Sequence, residues 1–307
     1  MPTREGPGAG PLASRPDDGE PARVAIDLRE EWGDLLARRA EFGVALGAYG
    51  EIVEQWAQWS PEPPAPLAWG SAECRARWER GVPLLAEASP AIRAGDLEEL
   101  LGGVMEHVAA AREGAAPGLQ RLAAAWDRGE IGPAALFPAP GRVGAPGLEA
   151  VSGLPADLLS FLAYGSLRPA LEPYFALCRR HLDEHVWALG VCPFCGGPAG
   201  FSDVLEDGKR RLACHLCGGG WTFGRLRCPH CGTEESTDLV RLGPEERDQG
   251  YTIVACRRCK AYLKELDRRV RWNARSALVE DWGSPHFDVA ARRAGYWRAC
   301  PTLLLLV

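Results

Sequence analysis

Four short motifs determine the architecture of the second half of this chain: CPFCGG at 192–197, CHLCGG at 214–219, CPHCGT at 228–233 and CRRCKA at 256–261. Each motif holds two cysteines separated by two residues, and 18, 10 and 24 residues lie between successive pairs. This spacing lets the chain turn tightly enough for both sulfurs to contact one ion at about 2.3 Å. Eight cysteines in four such knuckles therefore supply two tetrahedral sites.

The predicted metal ligands are Cys192, Cys195, Cys214, Cys217, Cys228, Cys231, Cys256 and Cys259. The simplest arrangement joins the first pair to the second and the third pair to the fourth, but an interleaved arrangement is also open. Four thiolates suit zinc and a single iron equally in geometry. Zinc would make the sites scaffolds, whereas iron would make them rubredoxin-like one-electron centres. Neither leaves the open coordination position that hydrolytic catalysis needs.

Glycine follows the second cysteine in three of the four knuckles. These glycines are Gly196, Gly218 and Gly232. Glycine tolerates the left-handed backbone that such turns often adopt. Lys260 stands at this position in the fourth knuckle, where we expect a weaker local geometry.

The first half of the chain predicts a helical domain. Apolar residues recur at three- and four-residue steps over 26–60, and a further helical run extends over 155–189. Asp96 is a predicted N-cap, and Pro169 fits the first turn of a helix. Beyond Gly190, five short β-prone runs alternate with turns rich in Gly and Pro, which indicates small hairpins. The runs are GFSDVLE at 200–206, RRLACHLC at 210–217, GWTFGRLRC at 220–228, STDLVRL at 236–242 and YTIVACRRC at 251–259.

The predicted fold class is therefore α+β. A helical N-terminal domain precedes two small rubredoxin-like or zinc-ribbon β-domains, each with a four-cysteine metal site. The predicted boundaries are a disordered tail over 1–24, a helical domain over 25–189, a first metal ribbon over 190–226, a second metal ribbon over 227–275 and a C-terminal segment over 276–307. The tail is rich in Pro, Gly and charge and has almost nothing to bury.

The net charge shows that the chain as a whole is not basic. The 307 residues carry a net charge of −6, unlike a typical nucleic-acid binder. The segment 192–275 holds 15 Lys and Arg against 11 Asp and Glu, and this excess chiefly offsets thiolate charge. The N-terminal sequence lacks an apolar stretch of signal-peptide length. We expect a cytoplasmic protein, in which paired cysteines bind metal or act as redox thiols rather than forming structural disulfides.

Histidines supply weaker metal patterns. The string HLDEH at 181–185 places two histidines at i, i+4 spacing, with Glu184 where some zinc peptidases have a base. No third ligand is evident, so we expect a packing or solvated helix face. His215 and His230 lie inside knuckles, but all four cysteine pairs are complete, so we expect both outside the ligand set.

Beyond the knuckles, longer stretches resemble one known family. They are SFLAYGSLRPALEPY at 160–174, HLDEHVWALGVCPFCGGPA at 181–199, RRLACHLCGGGW at 210–221, RLRCPHCG at 225–232 and CRRCKAYLK at 256–264. In this order they resemble the FdhE family of formate dehydrogenase accessory proteins. The resemblance covers residues 26–300 and is specific from Phe161 to Lys264.

The resemblance implies a non-enzymatic maturation factor in the cytoplasm. It implies a helical domain followed by two rubredoxin-like ribbons, whose eight cysteines bind two metal ions, with iron favoured and zinc as the other candidate. The implied partner is the catalytic subunit of formate dehydrogenase, which carries a molybdenum or tungsten pterin and an iron–sulfur cluster. The chain departs from the family pattern after residue 264. Asp281, His286 and Asp288 lie in this part, and we expect a structural role for them.

Two other functions compete with this interpretation. A zinc-ribbon nucleic-acid-binding or adaptor protein would stack bases on Trp221, Phe223, Tyr251 and Tyr262. A rubredoxin-like electron carrier would need a flavin or nicotinamide fingerprint, and none is present. We predict no catalytic residues and no organic cofactor site, because the sequence holds no nucleophile–base set. We expect no nucleic-acid partner and no membrane span.

Overall fold

The computed structural model describes residues 21–59, 69–87, 90, 92–137, 147–183, 185–243 and 248–303. The described helices are α1 (Pro21–Arg38), α2 (Gly43–Gln58), α3 (Ser71–Glu79), α4 (Ala94–Ala111), α5 (Ala116–Asp127), α6 (Leu148–Ser152), α7 (Ala156–Arg179), α8 (Ala277–Trp282) and α9 (Pro285–Arg293). The predicted tail lies outside the described residues except for its last four, which form the first turn of α1.

The strands of the described residues all lie in the second half of the chain. They are β1 (Phe201–Val204), β2 (Arg210–Ala213), β3 (Gly220–Phe223), β4 (Leu239–Leu242), β5 (Tyr251–Cys256), β6 (Ala261–Asp267) and β7 (Trp297–Arg298). The α+β class and the order of helical domain, then β-structure, are confirmed. No helix of the described residues combines the length and apolar character that crossing a bilayer requires.

The predicted helix over 26–60 is interrupted. A short 3-10 turn at Ala40–Phe42 separates α1 from α2. Arg39, just before this turn, leaves the helical region with φ −128°. Its guanidinium lies 2.5 Å from the carboxylate of Asp248, which is buried. We infer that this long-range ion pair, which local sequence does not reveal, sets the break.

Two predicted helix starts were wrong. Helix α4 begins at Ala94, with Arg93 at the N-cap position, so Asp96 lies inside the first turn. Asp96 instead pairs with Arg93 at 2.8 Å, where a carboxylate still interacts favourably with the helix N-terminus. Pro169 was expected in a first turn but lies in the middle of α7.

Helix α7 accommodates Pro169 because another residue replaces the hydrogen bond that proline cannot make. Proline has no N–H, so the carbonyl four residues earlier, that of Gly165, loses its intrahelical donor. The indole Nε1 of Trp56 in α2 donates to this carbonyl at 2.8 Å. Both residues are buried, so the bond also fixes α2 against α7.

The two predicted ribbons form one sheet. In the described residues the strand order is β3-β2-β1-β6-β5-β4. Strands β1 to β3 belong to the first ribbon and β4 to β6 to the second, and β1 pairs with β6 in parallel. Strand β7 pairs with the same edge of β6 as β1 does, but near the beginning of β6, whereas β1 pairs near its end. The ribbons are therefore joined by hydrogen bonds.

Strand β6, which joins them, was not among the predicted β-prone runs. Residues 261–266 are all buried, so the strand lacks the alternation of polar and apolar residues that reveals a half-exposed strand. It even carries Lys264 and Glu265 in buried positions. The five predicted runs correspond to β1–β5.

The C-terminal segment is built into the helical core. Trp282, the last residue of α8, lies 4.5 Å between ring centroids from Tyr49, 5.8 Å from Trp56 and 6.3 Å from Phe161. A second, smaller apolar cluster joins the sheet to α9, with Tyr262 and Phe287 among its members. Helices, sheet and C-terminal segment therefore pack as one unit.

Candidate metal centres

All four knuckles close in the same way. The backbone N–H of the residue after the second cysteine donates to the carbonyl of the first cysteine. The donor–acceptor distances are 2.9 Å for Gly196–Cys192, 3.1 Å for Gly218–Cys214, 3.0 Å for Gly232–Cys228 and 2.8 Å for Lys260–Cys256. The common two-residue spacing thus produces a common turn.

The residue after the second cysteine has a positive φ in every knuckle. The angles are 75° at Gly196, 67° at Gly218, 73° at Gly232 and 61° at Lys260. Lys260 is the only non-glycine residue with a positive φ in the described ranges. The weaker geometry expected in the fourth knuckle is not seen, but a non-glycine residue in this region costs about 1–2 kcal/mol.

The knuckles bring the eight cysteines into two groups of four. Site 1 comprises Cys192, Cys195, Cys214 and Cys217, and site 2 comprises Cys228, Cys231, Cys256 and Cys259. Within each site all four sulfur atoms lie within 4.8 Å of one another. The first pair therefore joins the second and the third joins the fourth, and the interleaved arrangement does not occur.

The sulfur positions fit a tetrahedral ion. In site 1 the Sγ atoms of Cys192 and Cys217 are 3.5 Å apart, and those of Cys195 and Cys214 are 3.4 Å apart. The two corresponding distances in site 2 are both 3.7 Å. A metal–sulfur bond of about 2.3 Å gives a tetrahedron with edges of about 3.8 Å. The donor set and its spacing therefore suit one thiophilic ion in each site.

Burial supports the same conclusion for site 1. Its four cysteines are at most 1% exposed. Burial raises the pKa of Cys192 and Cys195 well above the usual value for a thiol, because a thiolate loses its hydration in the interior. A bound cation would compensate this cost and keep the ligands deprotonated.

The helical domain holds the first knuckle of site 1 through its backbone. The carbonyl of Pro193 accepts hydrogen bonds from the N–H of Leu84 at 3.0 Å and from Nε1 of Trp78 at 2.9 Å. The N–H of Leu85 donates to the carbonyl of Phe194 at 2.7 Å. These bonds fix the turn from outside, so site 1 lies at the junction of helices and sheet.

Helix α7 holds the second knuckle of site 1. Arg168 donates to the carbonyls of Cys214 and His215 at 3.3 and 3.1 Å. Arg179 donates to the carbonyl of Gly218 at 2.9 Å. Glu172 pairs with Arg168 at 3.0 Å and so orients its guanidinium.

Site 2 lies closer to the surface. Cys228 and Cys256 are buried, but Cys259 is half-buried and Cys231 is exposed. The indole Nε1 of Trp297 donates to the carbonyl of Cys259 at 2.7 Å, and this indole is 48% exposed. The two sites therefore share their ligand set but differ in access.

A buried ion network lies behind site 1. Lys264 Nζ lies 2.9 Å from Asp281 and 2.8 Å from Asp288, and Arg298 pairs with the same two carboxylates. His215, inside the second knuckle, places its Nε2 2.9 Å from Asp281. The structural role expected for Asp281 and Asp288 is therefore correct. Sequence analysis missed their partners Lys264 and Arg298, because their burial depends on distant residues that local sequence does not reveal.

The cationic partners of Asp281 keep its carboxylate in the charged form. Burial acts to raise the pKa of Asp281, but Arg298 and Lys264 hold it far below its usual range. Burial lowers the pKa of His215, which favours a neutral ring that donates to Asp281 through Nε2. His215 therefore serves as a link between site 1 and the network, in line with the prediction that it is not a ligand.

Among the described residues, neither histidine of the HLDEH pattern belongs to a group of side chains that could hold a metal ion. Helix α7 ends at Arg179, before this string, so the predicted i, i+4 helix face was wrong. His181 forms a hydrogen bond with Ser71 Oγ at 2.7 Å through Nδ1. Glu184 lies outside the described residues.

The aromatic residues suggested for base stacking are all buried. Trp221, Phe223, Tyr251 and Tyr262 are between 1% and 6% exposed. Stacking requires an accessible ring face. These four residues therefore cannot form the stacking surface that the nucleic-acid alternative needs.

No family model matches the chain. Relatives include the "Protein FdhE homolog" of Pseudomonas putida, which is 27% identical over 299 residues and aligned over 93% of this chain and 88% of its own length. This chain is similar to the FdhE proteins. Another FdhE homolog, from Stutzerimonas stutzeri, is 31% identical over 160 residues. That alignment spans 46% of this chain and about half, 51%, of the relative.

A solved structure shows the same fold. It is described as the crystal structure of the FdhE protein from Pseudomonas aeruginosa, with a TM-score of 0.59 and 23% identity. The match covers 91% of this chain and 95% of that chain. The expected FdhE resemblance and the expected fold class are both confirmed.

Proposed function

We propose that this chain is an accessory factor for the assembly and activity of formate dehydrogenase. It acts in the cytoplasm and contacts the catalytic subunit of that enzyme. One observation carries the proposal: two four-cysteine sites occur on a chain similar to the FdhE proteins over 93% of its length. The identity of the client, formate dehydrogenase, is inferred from the family resemblance.

Each site would hold one ion through four thiolates. Site 1 would use Cys192, Cys195, Cys214 and Cys217, and site 2 would use Cys228, Cys231, Cys256 and Cys259. Iron, which the resemblance favours, would supply one-electron chemistry, whereas zinc would stabilise the fold alone. The distances between the sulfur atoms are compatible with either metal.

The proposed role is non-enzymatic. Four protein ligands complete a tetrahedron, so neither site offers a position for a substrate or a water molecule. Site 1 instead orders the turns that hold the sheet against the helical domain, and site 2 orders the two knuckles of the second ribbon. The ordered surface formed by the helical domain and the sheet is suited to binding a client protein.

The test is co-purification. The tagged chain is isolated anaerobically from its native host, treated with nuclease, and its bound proteins are identified by mass spectrometry. The proposal predicts enrichment of a formate dehydrogenase catalytic subunit over a mock purification from the untagged host. Enrichment of another oxidoreductase in its place, or of a formate dehydrogenase subunit only when nuclease is left out, would contradict the proposed client.

A further inference from the structure

We propose that site 2 is an exchange site, which gives up and takes up a thiophilic divalent ion by reaction with an entering thiol, while site 1 keeps its ion. The inference rests on the proposed metal sites but not on the proposed client. It follows from the difference in access between two otherwise similar ligand sets. Ligand exchange at a metal held by four thiolates requires an entering group to reach the ion or a leaving sulfur.

Site 1 is closed to such a group. Its four cysteines, each at most 1% exposed, belong to the main hydrophobic core together with residues of the helices. Backbone hydrogen bonds from Leu84 and Leu85 cover one knuckle, and side chains of α7 cover the other. A cavity lined by Cys214, His215 and Gly218 borders the second knuckle, but it leaves all four cysteines buried, so an entering group cannot reach a sulfur unless the packing around the site opens.

Site 2 has an open side. Cys231 is exposed and Cys259 is half-buried. None of its four cysteines belongs to either hydrophobic cluster of the described residues. Cys256 ends β5, and the adjacent strand β4 is the edge strand of the sheet. A small molecule or a protein side chain can therefore approach this site without movement of the core.

The charges beside the open side are mixed. Arg257, Arg258 and Lys260 of the fourth knuckle are exposed, and so are Glu234 and Glu235, which follow Cys231. The surface therefore does not select an entering group by its charge, and a thiol is suited to the exchange because thiolate sulfur binds thiophilic ions.

The exchange step is a substitution without oxidation or reduction. A thiolate of the entering molecule forms a bond to the ion, and the bond between the ion and Cys231 breaks. The proton released when the entering thiol ionises is balanced by protonation of the Cys231 thiolate. Repetition of this step with a second thiol of a chelator removes the ion.

The experiment uses the full chain loaded with zinc. Two zinc ions per chain are first established by elemental analysis, and the chain is then mixed with dimercaptosuccinate, an anionic dithiol chelator. Protein-bound zinc is measured over time after rapid desalting. We expect two phases of equal amplitude, with half of the zinc lost early. Cys231→Ser should lack the early phase, whereas the matched variant Cys195→Ser should keep it.

A second measurement uses the wild-type chain and does not require the variants to fold. Wild-type protein that has lost half of its zinc is alkylated, and the modified cysteines are located by mass spectrometry. We expect modification at Cys228, Cys231, Cys256 and Cys259 and protection of the site 1 cysteines. Loss of both ions in one phase, or earlier modification of the site 1 cysteines, would overturn the proposed exchange at site 2. Neither result would contradict the two metal sites themselves. A chain that binds fewer than two zinc ions would overturn the proposed metal sites as well.

Discussion

At the scale of single residues, Lys260 shows how far the metal turn controls the backbone. It adopts φ 61°, which the other three knuckles give to glycine. Its N–H still closes the turn at 2.8 Å to the carbonyl of Cys256. The geometry of the site therefore overrides the preference of a lysine for negative φ.

Lys260→Gly should increase stability. Glycine removes a strain of about 1–2 kcal/mol, and its greater freedom in the unfolded chain offsets part of this gain. We expect a net increase of about 0.5–1 kcal/mol in the free energy of unfolding, measured by urea denaturation at saturating zinc. Lys260→Ala, which loses the same charge but keeps the strain, should show no such increase. A glycine variant less stable than the alanine variant would contradict this account.

Asp281 is the residue on which the buried ion network depends. Its carboxylate faces Lys264, Arg298 and His215, and all four side chains are buried. Asp281→Asn would leave the two cations without one of their partners, a change that typically costs about 3–5 kcal/mol. Urea denaturation measures the loss.

The control for this prediction is Asp207→Asn. Asp207 pairs with Lys209 at 3.5 Å on the surface, where both side chains are more than half exposed. Such pairs contribute about 0–1 kcal/mol. Equal effects of Asp207→Asn and Asp281→Asn would show that the buried network contributes no special stability.

At the scale of secondary-structure elements, helix α7 depends on a contact with α2. Trp56 donates to the carbonyl that Pro169 leaves without an intrahelical partner. Trp56→Phe keeps an aromatic ring but removes the N–H and part of the indole. The buried carbonyl then loses its donor at a cost of about 1–3 kcal/mol, and the space left by the smaller ring adds to the loss of stability. Thermal unfolding of the metal-loaded chain measures this destabilisation.

Pro169→Ala supplies the matching test. Alanine restores an N–H that can donate to the carbonyl of Gly165 within the helix. We therefore expect Pro169→Ala to recover part of the stability lost in Trp56→Phe. Additive effects of the two substitutions would mean that the Trp56 hydrogen bond does not compensate for the proline.

Local patterns predicted some elements and failed on others for identifiable reasons. The knuckles and β1–β5 were predictable because two-residue spacing and turn residues act within a few positions. The position of Pro169 inside α7 and the break before α2 could not be predicted from local sequence. Both involve contacts with distant residues, Trp56 in the first case and Asp248 in the second. Strand β6 was missed because its continuous burial hides the period of a strand.

The grouping of the eight cysteines was partly predictable. The pair spacing indicated two sites and favoured the sequential arrangement, which the structure adopts. The different exposure of Cys231 and of the site 1 cysteines has no counterpart in the motifs. It arises because the helical domain covers only one of the two sites.

At the scale of the whole molecule, site 1 joins the helical domain to the sheet. Leu84 and Leu85 donate their N–H groups to carbonyls of the first knuckle. Loss of the site 1 ion should free that knuckle and expose these two amides to solvent, whereas loss of the site 2 ion should not. Amide hydrogen exchange of Cys192→Ser and of Cys228→Ser, each against the wild type, checks this expectation. Equal protection of Leu84 and Leu85 in all three proteins would show that the ion does not maintain the junction.

The central claim is that each group of four cysteines binds one ion. Its most direct test is the metal content of the chain, purified anaerobically and measured by elemental analysis together with protein concentration. The account predicts two ions per chain in the wild type, and one in Cys192→Ser, where only site 2 stays complete. Cys74→Ser, which changes a buried cysteine outside both sites, should keep two. A wild-type chain with no bound metal, or a Cys192→Ser chain that still binds two ions, would contradict the claim.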